Sequence, residues 1–326
     1  NYCISFGLPD GTFTTQSCYS VSGTLTGVLL ADYDSDGILD LINPGSTMSV
    51  RPGLGGGLFG AITNHYLGGG HNPRSVFWDF DGDGLTDLVR LFDTSSSTSL
   101  LNIYKGSGPG AFTNHQDLPF DFRPERISRA DFTGNGHQDI LLVGANRPLL
   151  LAKNNGSGDF SFAPTNAIAR TTSVSQPAIA DFNGDGLSDV ALTYYYSAKS
   201  ADVFVNTGAG FSPPITNAVG DLAGSIIAGD FDRDGRVDLV VASYSPAKFH
   251  YLRNVTHPSL RIDRHKPFLE VSWPAWKGFD LYISTNLTTG SWNLQNSYIF
   301  ETGNRNRFSF NPIQQQVFFK LVERSE

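Results

Sequence analysis

The sequence predicts an all-β chain made of five copies of one four-stranded unit, followed by a smaller all-β module. Three observations carry this. A nine-residue pattern that opens with Asp32-Tyr33-Asp34-Ser35-Asp36-Gly37-Ile38-Leu39-Asp40 returns at Asp79, Asp131, Asp181 and Asp230, at intervals of 47, 52, 50 and 49 residues. Such a period belongs to stacked or circular arrays. Short apolar runs rich in β-branched residues follow the copies, and from about His257 the repeat stops and the composition changes.

Within a period, the run that closes the pattern reads as a buried strand: Asp87-Leu88-Val89, Asp189-Val190-Ala191-Leu192 and Asp238-Leu239-Val240-Val241. A second apolar strand, a glycine-rich turn and a phenylalanine come next. Val203 to Phe211 shows this most clearly, and Asn102-Ile103-Tyr104 with Phe112 and Leu149-Leu150-Leu151 with Phe162 repeat it. Each period therefore holds four strands, with the acidic loop between the first and second. Four strands per ~50 residues, repeated, predicts β-propeller blades, here five. The third-strand pattern occurs six times, because Tyr2-Cys3-Ile4-Ser5 and His250-Tyr251-Leu252 both match it. The fourth-strand pattern first occurs from Phe13 to Val21 and does not recur after Asn254. Closure is expected to pair that N-terminal strand with the fifth blade, residues 219 to 254, leaving one strand over.

The loops also carry a chemistry. Oxygens at positions 1, 3, 5 and 9 of a tight turn, with a backbone carbonyl from position 7, converge on one point and suit calcium, a hard cation that takes about 6 to 8 oxygens. The expected ligands are Asp32, Asp34, Asp36, Ile38 and Asp40; Asp79, Asp81, Asp83, Leu85 and Asp87; Asp131, Thr133, Asn135, His137 and Asp139; Asp181, Asn183, Asp185, Leu187 and Asp189; and Asp230, Asp232, Asp234, Arg236 and Asp238. Up to five Ca²⁺ ions follow, with the third loop weakest because Thr133 and Asn135 replace carboxylates. An EF-hand would need a Glu at position 12, where this chain has Asn43, Arg90, Leu142, Leu192 and Val241.

The formal charge of −8 is explained inside the chain, since 17 of its 31 acidic side chains lie in these loops. With no basic stripe, there is no case for nucleic acid. No run approaches the roughly 18 apolar residues of a membrane span. The chain opens at Asn1 and its only methionine is Met48, so a removed secretion signal or other trimming upstream is expected. Cys3 and Cys18 flank an expected hairpin and favour a disulfide formed in an oxidising compartment, two free buried thiols being the alternative. Gly55 to Gly60 matches GxGxxG, but no amphipathic helix follows, so no dinucleotide site is expected. GxSxG, HExxH and CxxC do not occur.

The loops Asp79-Phe80-Asp81-Gly82-Asp83-Gly84-Leu85-Thr86-Asp87 and Asp181-Phe182-Asn183-Gly184-Asp185-Gly186-Leu187-Ser188-Asp189 resemble FG-GAP/VCBS repeats. That family is known from integrin α-subunit propellers and many secreted bacterial and fungal proteins. The resemblance covers about residues 1–256 and implies a calcium-bearing propeller, while saying little about ligand. Residues 257–326, with Phe268 to Pro274, Asp280 to Ser284, Ser291-Trp292 and Val317 to Leu321 as strands, resemble a C-terminal β-sandwich of secreted verrucomicrobial and planctomycete proteins. In a propeller the connections opposite the metal loops are free to bind. Here they carry Arg74, Arg123, Arg126, Arg147, Tyr194, Tyr195, Tyr196 and Tyr244. The expected function is extracellular or cell-surface binding, adhesion or assembly by a secreted protein that is not an enzyme. Its partner would be an extracellular protein, a glycan or further copies of itself in a filament. The alternative is a carbohydrate-active enzyme of the polysaccharide lyase kind, or a lectin, because some polysaccharide lyases and phospholipases carry similar propellers.

Overall fold

Five times along the chain an acidic loop ends in an aspartate that is itself the first residue of a strand. The computed structural model describes residues 2–5, 7–14, 17–19, 27–45, 47–66, 71–95, 97–168, 173–195, 199–256, 260–265, 268–276, 279–285, 291–302, 305–310 and 317–323. Among them there is no helix.

Strands β1 (Tyr2–Ile4) and β2 (Ser17–Tyr19) form a two-stranded sheet. Strands β3 (Leu29–Ala31), β4 (Asp40–Asn43), β5 (Thr47–Arg51) and β6 (Thr63–Tyr66) form the first four-stranded sheet. The second comprises β7 (His71–Trp78), β8 (Asp87–Asp93), β9 (Ser99–Gly108) and β10 (Ala111–Phe120). The third has β11 (Arg126–Ala130), β12 (Asp139–Val143), β13 (Pro148–Asn154) and β14 (Phe160–Ile168). The fourth has β15 (Ala178–Ala180), β16 (Asp189–Thr193), β17 (Ser200–Phe204) and β18 (Ile215–Ala218). A fifth sheet shows three strands among the described residues, β19 (Ala223–Gly229), β20 (Asp238–Tyr244) and β21 (Ala247–Leu252).

The burial of these strands follows from their composition. Strands β4, β8, β12 and β16 are buried along their whole length, as their continuous apolar runs require, whereas β6 and β18 are mostly exposed. Within the segment expected to complete the fifth sheet, Phe13 to Val21, the described residues hold β2, which pairs antiparallel with β1; residues 15, 16, 20 and 21 lie outside the described residues. Cys3 lies opposite Cys18 in that register, and the two are disulfide-bonded.

The chain divides into two units. The first comprises Asn1–Arg129 and His137–Ala163, and the second Ala130–Gly136 and Pro164–Glu326. In the first unit, Phe77 and Leu88 of the second sheet pack with Ile42, Met48 and Val50 of the first. A larger cluster joins Phe80, Val89, Leu91, Leu101 and Ile103 to Ile140, Leu142, Ala152 and Phe160. In the second unit, Ala191, Ala201 and Val203 pack with Ile226, Leu239 and Val241.

The C-terminal strands of the second unit are β22 (Arg261–His265), β23 (Phe268–Pro274), β24 (Phe279–Ser284), β25 (Asn293–Gln295), β26 (Ile299–Thr302), β27 (Arg305–Phe310) and β28 (Phe318–Glu323). They form two sheets, ordered β22-β23-β27-β26 and β25-β24-β28. Val271, Trp273 and Phe308 of the first sheet share one apolar cluster with Leu281, Ile283, Phe319 and Leu321 of the second.

The Cys3–Cys18 pairing predicts that intact mass rises by two hydrogens on reduction, and that neither cysteine alkylates without reductant. Ready alkylation of the unreduced protein would contradict the pairing.

Candidate metal centre

Each loop is held by its own carboxylates. The position-9 aspartate begins a buried strand and accepts two backbone N–H groups from opposite sides. Asp40 Oδ2 accepts from Tyr33 N at 2.7 Å and Oδ1 from Gly53 N at 2.6 Å. Asp87 accepts from Phe80 N and Gly106 N at 2.8 and 2.7 Å, and Asp189 from Phe182 N and Asn206 N at 2.9 and 2.7 Å. In the fifth loop Asp238 accepts from Phe231 N and Asn254 N at 3.2 and 2.8 Å.

Position 1 folds the turn itself. Asp79 accepts from Gly82 N and Gly84 N, and Asp181 from Gly184 N, Asp185 N and Gly186 N. The position-6 glycines make that bend with φ between 86° and 92°, a region in which a side chain would be strained.

Three of the five loops gather acidic ligand atoms. One oxygen from each of Asp32, Asp34 and Asp36 lies within 4.8 Å of the others, and the same holds for Asp79, Asp81 and Asp87 and for Asp230, Asp232 and Asp234. In the first loop Asp34 Oδ1 is buried without a hydrogen-bond partner, which is costly unless something positive meets it. These donors are all hard oxygens and fit calcium. Position 9 joins the cluster only in the second loop; elsewhere its oxygens serve the backbone.

The loops differ in what neutralises them. Lys105 lies 2.9 Å from Asp81. In the fifth loop Arg236 lies 2.6 Å from Asp234, while Arg253 lies 2.6 Å from Asp232 and 3.2 Å from Asp234. The first loop has no ion-pair partner among the described residues. Burial pushes the Asp87 carboxyl up to about 6, helped by the charges of Asp81 and Asp83 and opposed by its two backbone donors. For the same reason Asp189 reaches about 7, and burial raises Asp40 and Asp181 as well.

The third loop is divided between the two units, so its expected ligands are placed separately. In the second unit Asp131 accepts from Gly134 N, Asn135 N and Gly136 N. In the first, Asp139 accepts from Asn154 N at 2.8 Å, and His137 is exposed. In the fourth loop Asn183 and Asp185 bond each other, through Nδ2 to Asp185 Oδ2 and Asp185 N to Asn183 Oδ1. Arg305 of β27 donates to the carbonyl of Gly184 at 2.8 Å, and a Cβ on Gly184 would collide with Pro274 and Trp276.

A second set of functional residues escaped the sequence reading. Nδ2 of Asn154 donates to the carbonyls of Phe80 and Gln138, that of Asn206 to Phe132 and Ser188, and that of Asn254 to Phe182 and Val237. One amide thus ties its own loop to the loop before it. The aromatic at position 2 completes the joint: Tyr33 meets Phe112, Phe80 meets Phe160, and Phe132 meets Phe211, with ring centroids 5.2, 5.3 and 5.9 Å apart. The available signal was an asparagine 15 to 17 residues after each of the last three position-9 aspartates, obscured by glycine at Gly53 and Gly106.

Of the expected ligand-face residues, Arg74, Arg123 and Arg126 share one neighbourhood. Arg74 Nη1 is buried without a hydrogen-bond partner, Arg123 lies 2.6 Å from the buried Asp93, and Arg126 donates to the carbonyl of Glu125. Burial lowers the Arg74 pKa; the charges of Arg126 and Arg123 add to this, and Asp93 and Glu125 oppose it. Arg147 stands over the Phe122 ring at 6.0 Å. Tyr194 is buried in the core with its hydroxyl donating to Asp202 at 3.0 Å, so it offers no surface. Tyr195 and Tyr244 place their rings 6.0 Å apart, and Tyr196 lies outside the described residues.

The profile of the FG-GAP-like repeat family matches residues 79–142, 131–192 and 181–241, half of the chain. The chain belongs to the FG-GAP-like repeat family. Its small antiparallel sheets, with the acidic loop between first and second strands, are consistent with the blades of a β-propeller. Among solved structures it is similar to BBS1N, crystallised in complex with ARL6DN. The lead-soaked crystal matches at 13% identity over 77% of this chain and 89% of that chain, with a TM-score of 0.37. The mercury-soaked crystal matches at 14% identity over the same shares, with a TM-score of 0.34. No curated protein sequence matches the chain.

The asparagine joint makes a specific prediction. Asn206→Ala leaves the carbonyls of Phe132 and Ser188 without this donor and is expected to cost about 1–3 kcal/mol in denaturant unfolding. The half-buried Asn217→Ala, which removes an amide that reaches back to the carbonyl of Ile215, is expected to change stability by less than about 0.5 kcal/mol.

Proposed function

We propose that this FG-GAP-like chain is a secreted, calcium-stabilised propeller that acts in extracellular binding, adhesion or assembly, as a binding protein and not an enzyme. The observation that supports calcium is the first loop, where Asp32, Asp34 and Asp36 gather without a basic partner and Asp34 Oδ1 is left buried and unmatched. The disulfide fits an oxidising compartment. On this reading up to five ions are bound. The first loop holds its ion best, because binding in the second and fifth must compete with Lys105, Arg236 and Arg253. The two C-terminal sheets with their shared cluster act as a β-sandwich.

The recognition surface of this reading is the group Arg74, Arg123, Arg126 and Arg147 in the first unit, with Tyr195 and Tyr244 in the second. Arginine and tyrosine on loops of a rigid sheet scaffold are frequent anchors for protein and glycan partners.

Chelation tests the calcium reading. At a free-ion level of about ten Kd, each loop contributes about 1.4 kcal/mol, so EGTA is expected to lower the melting temperature markedly. The pH dependence has a definite sign. Asp87 and Asp189 are raised to about 6 and about 7, above their unfolded value near 4, so the stability these two groups contribute in EGTA is fully present below about pH 4 and is lost as pH rises through 6 and 7. Calcium stabilises the ionised forms and removes that loss, so the gap between the two melting curves widens from pH 5 to pH 7.5. An unchanged melt at pH 7.5 would sink the reading.

Self-assembly is the form of partnership we favour. Strand β21 presents Phe249 at 80% exposure and Tyr251 at 48%, and the fifth sheet carries one strand fewer than the others among the described residues. An edge of this kind accepts a strand through main-chain pairing, and a head-to-tail contact that does not close generates filaments. Removing residues 1–8 is expected to abolish assembled particles in electron micrographs while the calcium-dependent melt persists. Particles that are unchanged by the truncation would exclude a role for the N-terminal strand.

A further inference from the structure

Strands β22, β23 and β27 have two different faces. Val271, Trp273 and Phe308 enter the apolar cluster, and the alternating positions collect charge: Arg261 lies opposite Ser272, Ser272 opposite Arg307, and Asp263 opposite Glu270. Together with Arg264 and Arg305 these residues line a cleft of about 360 Å³, at the small end of the roughly 300–1,000 Å³ range of ligand sites.

Four arginines face two acids there. Asp263 is taken by Arg261 at 2.9 Å and Glu270 by Arg307 at 2.5 Å. Arg305 has no carboxylate partner among the described residues and donates instead to the carbonyls of Gly184 and Ser272. Arg264, exposed at the rim, has no ion-pair partner among the described residues either. Arg307 keeps Nε buried with no hydrogen-bond partner. Burial lowers the Arg305 pKa, and the positive charges of Arg261 and Arg307 press in the same direction, opposed by the carboxylates of Asp181 and Asp185. Crowded like charge and an orphaned donor are both relieved by an anion. Planar guanidinium forks are matched to tetrahedral or carboxylate oxygens, where they bond in pairs.

We propose that this cleft on the β22-β23-β27 face is a binding site for a sulfate-type oxyanion, free or carried as the sulfate ester of an acidic glycan. The site deepens the binding reading by naming a ligand chemistry, yet it owes nothing to the metal loops. Arg305 gives it a physical link to them, because the same side chain that lines the cleft holds the carbonyl of Gly184 in the fourth loop. The small volume favours one anionic group with its adjoining sugar over an extended polyanion.

Calorimetry on the full chain in calcium, at constant ionic strength set with chloride, tests it with three probes: sodium sulfate, a sulfated oligosaccharide and the same oligosaccharide without sulfate. Binding of the sulfated but not the unsulfated sugar is expected. Arg264→Ala, at an exposed position, and Arg307→Lys, which keeps the charge beside Glu270 but loses the fork, should each weaken it at least about tenfold. Both variants are checked for an unaltered melt, and Arg261→Gln replaces either one that melts early. Saturable binding of sodium sulfate, lost in the same variants, identifies the free anion as a sufficient ligand. Its failure beside binding of the sulfated sugar assigns the glycan as the source. No heat with either anionic probe, or equal affinity in wild type and variants, overturns the site. Because calcium is present throughout, a failure here is separate from a failure of the chelation experiment.

Discussion

The structure depends on one buried carboxylate used five times. The aspartate at position 9 of each loop stands at the first residue of a core strand, where its desolvation is expensive, and this cost is offset by backbone N–H groups, two of them in four of the five loops. One belongs to the loop behind it, at Tyr33, Phe80, Phe182 or Phe231. The other belongs to the turn after the third strand, at Gly53, Gly106, Asn154, Asn206 or Asn254. Hydrogen bonds of this kind are worth more for what their loss would leave unpaired than for their own strength. Loop, strand and turn are thereby set in one geometry before any ion is considered.

From that anchor the joint between repeats follows. Fixing the turn places the asparagine side chain where its amide reaches two carbonyls, one in its own loop and one in the loop before. Fixing the loop places its position-2 aromatic against the phenylalanine of the following turn. Polar and apolar contacts are thus made by neighbouring residues at the same place, so each repeat buries what it could not bury alone. The carboxylates at positions 1, 3 and 5 are then left facing a common point. Their mutual repulsion is offset by Lys105 in the second loop and by Arg236 and Arg253 in the fifth, and by no basic side chain in the first among the described residues. The loops share a backbone design and differ in their charge balance.

The C-terminal sheets enter the same scheme through the fourth loop. Gly184 is buried against Pro274 and Trp276 and its carbonyl is held by Arg305. A side chain at that position would collide with both, so the lack of a Cβ there is a packing requirement as well as a turn requirement. The same arginine also lines the charged cleft, which places a charged pocket and a structural contact on one short strand.

The sequence by itself determined the repeat, its period, the four-stranded unit, the acidic loops and the Cys3–Cys18 hairpin, because each is encoded by local periodicity or by residues whose chemistry is specific at short range. It also singled out Arg74, Arg123 and Arg126 as candidates, and folding places them in one neighbourhood. Tertiary structure decided what spacing cannot carry. Position 9 looks like a ligand in the sequence, and Asp87 does gather with Asp79 and Asp81, yet at every position 9 the oxygens also answer backbone groups, and position 7 of the fifth loop, Arg236, turns its charge onto Asp234. Tyr194 reads as a surface aromatic beside Tyr195, yet the strand pleat turns it inward onto Asp202. The asparagine joint depends on partners 16 to 74 residues away, such as Gln138 and Phe80 for Asn154, and the arginine cleft reaches further still, with Gly184 121 residues from Arg305. Pairings of that range are fixed by sheet register and packing, which no local pattern records.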